Sequence, residues 1–363
     1  MKYKLKDLVT IKYGKSQKLV EDNENGTYPI LGTGGIMGYA TNYLYNKPSV
    51  LIGRKGTIEK IRYIDFPFWP IDTLFYTEIN QELVIPQYLY YRLLDINFKN
   101  LNEGTTIPSL RTQTLYEIEL DIDKLEKQKK IINILSLIDK KIDYNTHTNN
   151  NLYETGKALY QEYFENEIYT SNYEIKQLSE VTTNNRNKID RDKEYKVLSA
   201  VNTGNLVLSD DYFDKQVYSK DIGKYLNVNK NDFAYNPARI NIGSIGLNTF
   251  DYNCCVSPVY VTFSVDKDYI DFFDFYFKSK KFNAEVTLRA SGSVRQALNY
   301  NDFGMIEIPY PSKEMIDKFN NSYSIIKNRI NKNKAKINDL EQIRDTLLPK
   351  LMNGEINLDK IEI

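Results

Sequence analysis

Ile131-Ile132-Asn133-Ile134-Leu135-Ser136-Leu137-Ile138-Asp139-Lys140-Lys141-Ile142 opens a stretch in which apolar side chains return every fourth and then every third residue. Ile131, Leu135, Ile138, Ile142, Asn145, Asn149, Leu152, Gly156, Leu159 and Tyr163 keep that spacing, while Lys, Glu, Asp and Asn fill the other faces. The pattern is that of a heptad helix, which must hide one seam against a partner. A second stretch repeats it through Phe319, Tyr323, Ile326, Ile330, Asn333, Ile337, Leu340, Arg344, Leu347 and Leu351. Neither contains a proline before Pro349. Helices of roughly 40 residues would each be about 60 Å long. Two such helices in one chain are expected to pack on each other. Asn145 and Asn333 hold equivalent seam positions, where a polar residue costs stability but specifies register. The single histidine, His147, lies off the seam and reads as a solvated helix residue.

The helices are parts of a longer internal repeat. Gly104 and Gly292 stand 188 residues apart, and at that offset Leu110 meets Leu298, Leu115 meets Phe303, Ile118 meets Ile306 and Leu120 meets Ile308. The register continues without a gap into the two helices. Upstream, Tyr3–Leu8 resembles Tyr173–Leu178 at an offset of 170, and Gly56-Thr57-Ile58 resembles Gly243-Ser244-Ile245 at 187. The second copy therefore carries roughly 18 extra residues, expected around the turn-rich stretch Val201–Asn231. The expected order is a globule over 1–123, a helix over 124–168, a globule over 169–311, and a helix with a tail over 312–363. Antiparallel pairing of the helices would put one globule at each end. Each globule reads as mixed α/β, with buried strands at Val50–Ile52, Phe66–Trp69, Leu74–Thr77 and Val256–Ser264. Short helices are expected at Gln87–Leu94 and Phe272–Lys278.

Composition bounds the function. Of 363 residues 41% are hydrophobic and 26% charged, the balance of a soluble globular protein, and no run of 18 apolar residues could cross a membrane. The first residues lack the apolar core of a secretory signal. Cys254 and Cys255 are adjacent, so no disulfide framework can form, which fits a reducing cytoplasm. Lys plus Arg and Asp plus Glu are each 48, and the pI is about 6.7. A nucleic-acid binder with that balance must concentrate its charge locally or share the task with a partner. Neither a glycine-rich dinucleotide loop nor a P-loop is present. With one histidine, a His-based metal cluster or a Ser-His-Asp triad is nearly excluded. Asn236-Pro237-Ala238-Arg239 lacks the second proline and the aromatic of an adenine-methyltransferase motif. No cofactor is expected to bind this chain.

Several loops carry side chains suited to DNA. Gly53-Arg54-Lys55-Gly56 sets the cations Arg54 and Lys55 between glycines, where backbone and charge could both approach a phosphate. The second copy has Asn236–Asn241 in the corresponding place, and Arg239 and Asn241 have the fork geometries for guanine and adenine edges. A further loop supplies Thr106, Ser109 and Arg111, and its counterpart Ser293, Arg295 and Gln296. Each loop reads equally well as a plain turn or as a joint between globule and helix. The basic run Lys278-Ser279-Lys280-Lys281 is a weaker candidate.

The run from Leu340-Glu341-Gln342-Ile343-Arg344 through Leu348-Pro349-Lys350-Leu351-Met352-Asn353-Gly354-Glu355-Ile356 resembles the closing signature of the specificity subunits of type I restriction–modification systems. Leu125–Ile131 is similar to the start of their central helix, and Gly53–Ile58 to a recurrent element of their target-recognition domains. The resemblance spans essentially the whole chain. It implies two α/β target-recognition domains, joined by two long helices in an antiparallel coiled coil with an internal pseudo-twofold repeat. It implies a non-catalytic subunit that reads a two-part site in double-stranded DNA. Two modification subunits would supply S-adenosylmethionine and methylate adenine N6, and two restriction subunits would bring ATP and Mg. The unlike loops predict an asymmetric site. Two other classes remain open at this point: a coiled-coil scaffold that binds proteins, and a metal-dependent nuclease built on Glu174 and Lys176.

Overall fold

The two seams form two 40-residue helices, a central helix Leu125–Phe164 and a C-terminal helix Lys313–Met352. The computed structural model describes residues 1–20, 25–165, 173–213, 216–289 and 297–358. The chain divides into two compact units, Met1–Thr146 with Lys334–Ile363 and His147–Asn333. Each long helix therefore contributes one part to each unit.

In the first unit the start of the central helix lies against the end of the C-terminal helix. Ile131 and Leu135 share a buried cluster with Leu348, Leu351 and Met352. Further along, Asp139 meets Arg344 at 3.4 Å. In the second unit the order is the converse, with Tyr160 and Phe164 buried together with Phe319. A methyl group on Gly156 would sit 2.6 Å from the Tyr323 ring. Within each unit the helices thus run antiparallel. Every seam position named above is buried or half-buried, including Ile138, Ile142, Asn145, Leu152, Leu159, Ile326, Ile330, Ile337, Leu340 and Leu347. Full burial is confined to seam residues that also touch a globular core, apart from Gly156 and Asn333. Two helices alone cover each other on one side only. Asn333 is 2% exposed and donates to Asn149 Oδ1 at 3.0 Å, so its polar partner is Asn149. Asn145, the residue expected to share its role, donates to Lys141 O of its own helix. His147 is exposed.

Strands of the first unit are β1 (Lys2–Lys4), β2 (Val9–Tyr13), β3 (Tyr28–Gly32), β4 (Gly35–Ala40), β5 (Ser49–Gly53), β6 (Arg62–Ile64), β7 (Trp69–Pro70), β8 (Leu74–Ile79) and β9 (Glu119–Asp121). They make a four-stranded sheet β2-β8-β5-β6, a three-stranded sheet β4-β3-β7 and the pair β1-β9. Strands of the second unit are β10 (Tyr173–Gln177), β11 (Thr182–Asn184), β12 (Lys196–Val201), β13 (Asn205–Leu208), β14 (Leu226–Val228), β15 (Phe233–Tyr235), β16 (Ile245–Leu247), β17 (Cys254–Val256), β18 (Val261–Val265) and β19 (Glu307–Pro311). Their sheets repeat the plan as β11-β18-β15-β16, β13-β12-β17-β14 and β10-β19. β14, inside the stretch expected to hold the insertion, is the strand without a counterpart.

The repeat at the N-terminus has a different offset from the one the tyrosines suggest. Leu5 N donates to Ile118 O at 2.8 Å and Leu178 N to Ile306 O at 2.9 Å. Lys4 N bonds the Asp7 carboxylate and Gln177 N the Glu180 carboxylate, opening a one-turn helix in each unit. Leu5 therefore corresponds to Leu178, an offset of 173, and the second copy gains 15 residues on the way to 188. Two expected strands also differ. Phe66 is exposed, Phe68 makes a single bridge to Tyr45, and the strand begins at Trp69, because Pro67 cannot donate to a ladder. Val256–Ser264 is two strands, broken by a turn at Ser257-Pro258 that closes with Tyr260 N on Ser257 O. Helices Pro86–Leu94 and Ile270–Tyr276 pack against the sheets close to where they were expected.

The central helix is stitched to the first unit by a buried polar residue. Gln128, fully buried, accepts from Ile85 N at 2.8 Å and donates to Leu83 O at 3.0 Å and Asp123 O at 2.8 Å. Gln128→Leu keeps the volume but leaves three backbone groups without partners. It should destabilise the protein by about 2–4 kcal/mol, read as a lower urea midpoint with an unchanged slope.

Candidate nucleic-acid interface

In the first unit two loops distant in sequence become one surface. β5 ends at Gly53, where a side chain would collide with Thr57 O at 2.2 Å. Arg54 N and Lys55 N both donate to Thr73 O, at 2.8 and 3.2 Å. Gly56, with φ +87°, turns the chain back. Gly56 N then donates to Pro108 O at 2.9 Å, Leu110 N donates to Arg54 O at 3.0 Å, and Lys55 bridges Ser109. The loop over 102–109 is closed by one side chain: Asn102 Oδ1 accepts from Gly104 N and Ser109 N, each at 2.9 Å, and Nδ2 donates to Gly104 O at 3.1 Å. Lys55, Thr106 and Arg111 are exposed on this surface and Ser109 is half-buried.

The candidate cations differ in availability. Arg54 donates to Asp72 O at 2.7 Å and lies over the Tyr13 ring at 5.2 Å, so its guanidinium is held in place. Arg111 pairs with Glu103 at 3.0 Å, an exposed contact that a phosphate could displace. The β3–β4 hairpin is braced from behind by Arg62, which donates to Gly32 O at 3.1 Å and Thr33 O at 3.0 Å, and burial pushes its pKa down.

Among the described residues, the second unit repeats part of this arrangement. Leu298 N donates to Pro237 O at 3.0 Å, the counterpart of the Leu110–Arg54 bond. Gly243, with φ +86°, matches Gly56. Between them this copy is longer and inserts the one-turn helix Ile240–Ile242. Buried Ile240 anchors it, Arg239 is exposed, and Asn241 is half-buried and already has a partner inside the protein. Ser293, Arg295 and Gln296 lie outside the described residues. Two contributions are absent from the sequence reading. Tyr13 supports Arg54, and the β12–β13 turn approaches the loop so closely that a side chain on Gly243 would meet Asn202 O at 2.7 Å. The Asn202-Thr203-Gly204-Asn205 turn signal could have marked it.

Glu174 and Lys176 pair at 2.9 Å on β10, and Lys176 lies over Tyr310. Among the described residues no group of three His, Cys, Asp or Glu is placed to hold a metal ion. Burial pushes the Cys254 and Cys255 thiols up to about 11 and about 12. The described residues include no helix long and apolar enough to cross a membrane.

The chain is thus a duplicated α/β protein, each unit closed by antiparallel helices. The chain is similar to the specificity subunits of type I restriction–modification systems. Residues 1–154 match the family model of the type I restriction modification DNA specificity domain. The chain is 24% identical over 354 residues to the type I restriction enzyme MjaIX specificity subunit of Methanocaldococcus jannaschii, covering 86% of this chain and 80% of that protein. It is 30% identical over 93 residues to the HindI specificity subunit of Haemophilus influenzae, covering 24% of this chain and 20% of that protein. Its fold is similar to that of the type I S subunit from M. genitalium, with TM-score 0.55 at 18% identity over 97% of this chain and 95% of that one.

Asn102→Ala removes three bonds that close the 102–109 loop and touches no core residue. It should cost about 1–3 kcal/mol and loosen the loop without melting the unit. Hydrogen exchange should rise at Gly104 and Ser109 while the β2-β8-β5-β6 sheet keeps its protection.

Proposed function

We propose that the chain is the non-catalytic reader of a two-part, asymmetric site in double-stranded DNA. It would position two modification subunits, which carry S-adenosylmethionine and methylate adenine N6, and two restriction subunits, which use ATP and Mg. The setting is the cytoplasm. The observation that carries the reading is a backbone tie to the candidate loop that recurs in both units. Equivalent backbone bonds, Leu110 to Arg54 and Leu298 to Pro237, hold equivalent surfaces whose side chains differ. One carries Arg54, Lys55, Thr106, Ser109 and Arg111, and the other Arg239 and Asn241, with Ser293, Arg295 and Gln296 assigned from the sequence alone. A common scaffold with unlike contact residues suits two half-sites of different sequence.

The roles differ by chemistry. Lys55 is a point charge and serves a phosphate. Arg239 can pair both acceptors of a guanine edge. In the assembled enzyme, Lys55→Ala should weaken binding to all sequences alike and lower the slope of log affinity against log salt by about 1. Arg239→Ala should relax or abolish one half-site in the methylome and leave the other intact. Equal loss of both halves would instead mark a general phosphate role.

The long helices are the proposed spacer between half-sites. Deleting one heptad from each shortens each by about 10 Å and keeps the seam in phase. The methylated motif should then retain both half-sites with a shorter gap. Changed half-sites with an unchanged gap would rule the spacer out.

A further inference from the structure

The β3–β4 hairpin of the first unit ends in a tip that folding alone does not explain. Gly26 to Asn46 includes no charged residue, although charged residues make up 26% of the chain. β4 is an edge strand, in the order β4-β3-β7, and its Gly35-Ile36-Met37-Gly38-Tyr39-Ala40 has neither the lysine nor the proline that commonly guards an edge. Ile36 is 59% exposed and Met37 53%. Single exposed aliphatics are ordinary, but two side by side on an unguarded edge are a hazard unless something covers them. Leu31 pairs with Ile36 while Ile30 pairs with Gly38, so Met37 is the extra residue of a β-bulge, a device that re-aims side chains.

The tip is braced, and it adjoins the cation loop. Arg62 holds Gly32 O and Thr33 O from behind, while a methyl group on Gly34 would meet nothing within 4 Å. A methyl group on Gly32 would lie 2.4 Å from Met37 Sδ and 3.4 Å from Ile71 Cδ1, so the Met37 thioether and Ile71 flank Gly32. Ile71 N donates to Leu31 O at 2.9 Å. The next two residues carry the cation loop: Asp72 O accepts from the Arg54 guanidinium, and Thr73 O from Arg54 N and Lys55 N. An apolar tip thus stands beside the cations proposed to meet phosphate. The equivalent β12–β13 hairpin is built otherwise. Its turn exposes Asn202, Thr203 and Asn205, and among the described residues it exposes no large apolar side chain.

We infer that Ile36 and Met37 read thymine, by apolar contact with its 5-methyl group in the major groove of the half-site bound by the first unit. The major groove admits a two-stranded β-ribbon, and the thymine methyl is the apolar group that a base pair offers there. An uncharged tip has nothing to give a phosphate. The cations next to it hold the backbone while the tip enters the groove. The polar β12–β13 turn offers no such contact, so the two units differ in how they discriminate as well as in what they read. This inference deepens the proposed function and rests on it.

The test uses the chain assembled with its modification subunit, and duplexes carrying the motif found in the methylome. Deoxyuridine replaces one thymine at a time; uracil pairs as thymine does and lacks only the methyl. The half-site that survives Arg239→Ala belongs to the first unit. At one or more thymines there, other than the partner of the methylated adenine, deoxyuridine should weaken binding about 4-fold, the worth of one buried methyl. With Ile36→Ala and Met37→Ala combined, the thymine and deoxyuridine duplexes should bind equally, a coupling that a merely loosened unit would not produce. Unchanged thermal melting and unchanged uptake of the modification subunit show that the variant is folded and assembled. Loss of assembly in the variant would mean that the hairpin meets protein, and would overturn the inference. Indifference of the unaltered assembly to deoxyuridine throughout that half-site, a half-site without such a thymine, or a sensitivity that persists in the variant would overturn it too. An unaltered assembly that binds no DNA at all would instead refute the proposed function, and this inference with it.

Discussion

The molecule depends on a seam that a single helix has no way to hide. Ten heptad positions on the central helix and ten on the C-terminal helix line one face, apolar or small except at Asn145, Asn149, Asn333 and Arg344. Exposed, such a face would cost about 1.5–3 kcal/mol for each large side chain left in water. Pairing the start of one helix with the end of the other covers the seam and ties it into a globular core. Ile131 and Leu135 join Leu348 and Leu351 over one core, and Tyr160 and Phe164 join Phe319 over the other. Antiparallel order follows from chain connectivity: each helix leaves the unit that precedes it, so each core is closed by the beginning of one helix and the end of the other.

Register along that seam is a matter of a few contacts. Gly156 leaves room for the Tyr323 ring, and Asn333 finds Asn149. A buried amide is tolerated only where a polar partner answers it, since an orphaned polar group costs more than the bond returns. Near Asn333 the polar pair does not reproduce itself in the other copy, where Asn145 bonds its own helix. Duplication has preserved the seam and let its polar checkpoint become one-sided.

The helices and the repeat were legible because both are periodic. Spacing of four and three is visible in a single sequence, and a constant offset of 188 survives wherever no residue is inserted. What could not be read is whatever depends on a partner far away in the chain. Asn145 and Asn333 are equivalent by repeat, but equivalence says nothing about which residue faces which across the pair. Tyr3 and Tyr173 look alike, yet the bonds of Leu5 and Leu178 set the correspondence three residues away. The individual loops were visible as glycine-bracketed turns. Their union was not, because the Gly56–Pro108 and Leu110–Arg54 bonds join segments that share no pattern. Tyr13 was missed for the same reason, since nothing in an alternating strand marks the ring that an arginine will rest upon.

The balance of charge gains a physical reading from these surfaces. With equal numbers of acidic and basic residues, the chain has no excess of cations to offer a phosphate backbone. Several of its arginines are already engaged: Arg54 on Asp72 and Tyr13, Arg62 on the hairpin, Arg111 on Glu103. An arginine held in place has lost its rotamer freedom before any ligand arrives, so less is paid when it meets a base edge or a phosphate. Prior engagement also weakens non-specific attraction, because each pair to be broken offsets part of the gain. In the proposed function, such an arrangement would favour discrimination over raw affinity, with the bulk of phosphate neutralisation falling to partner chains and specificity to the few loop side chains.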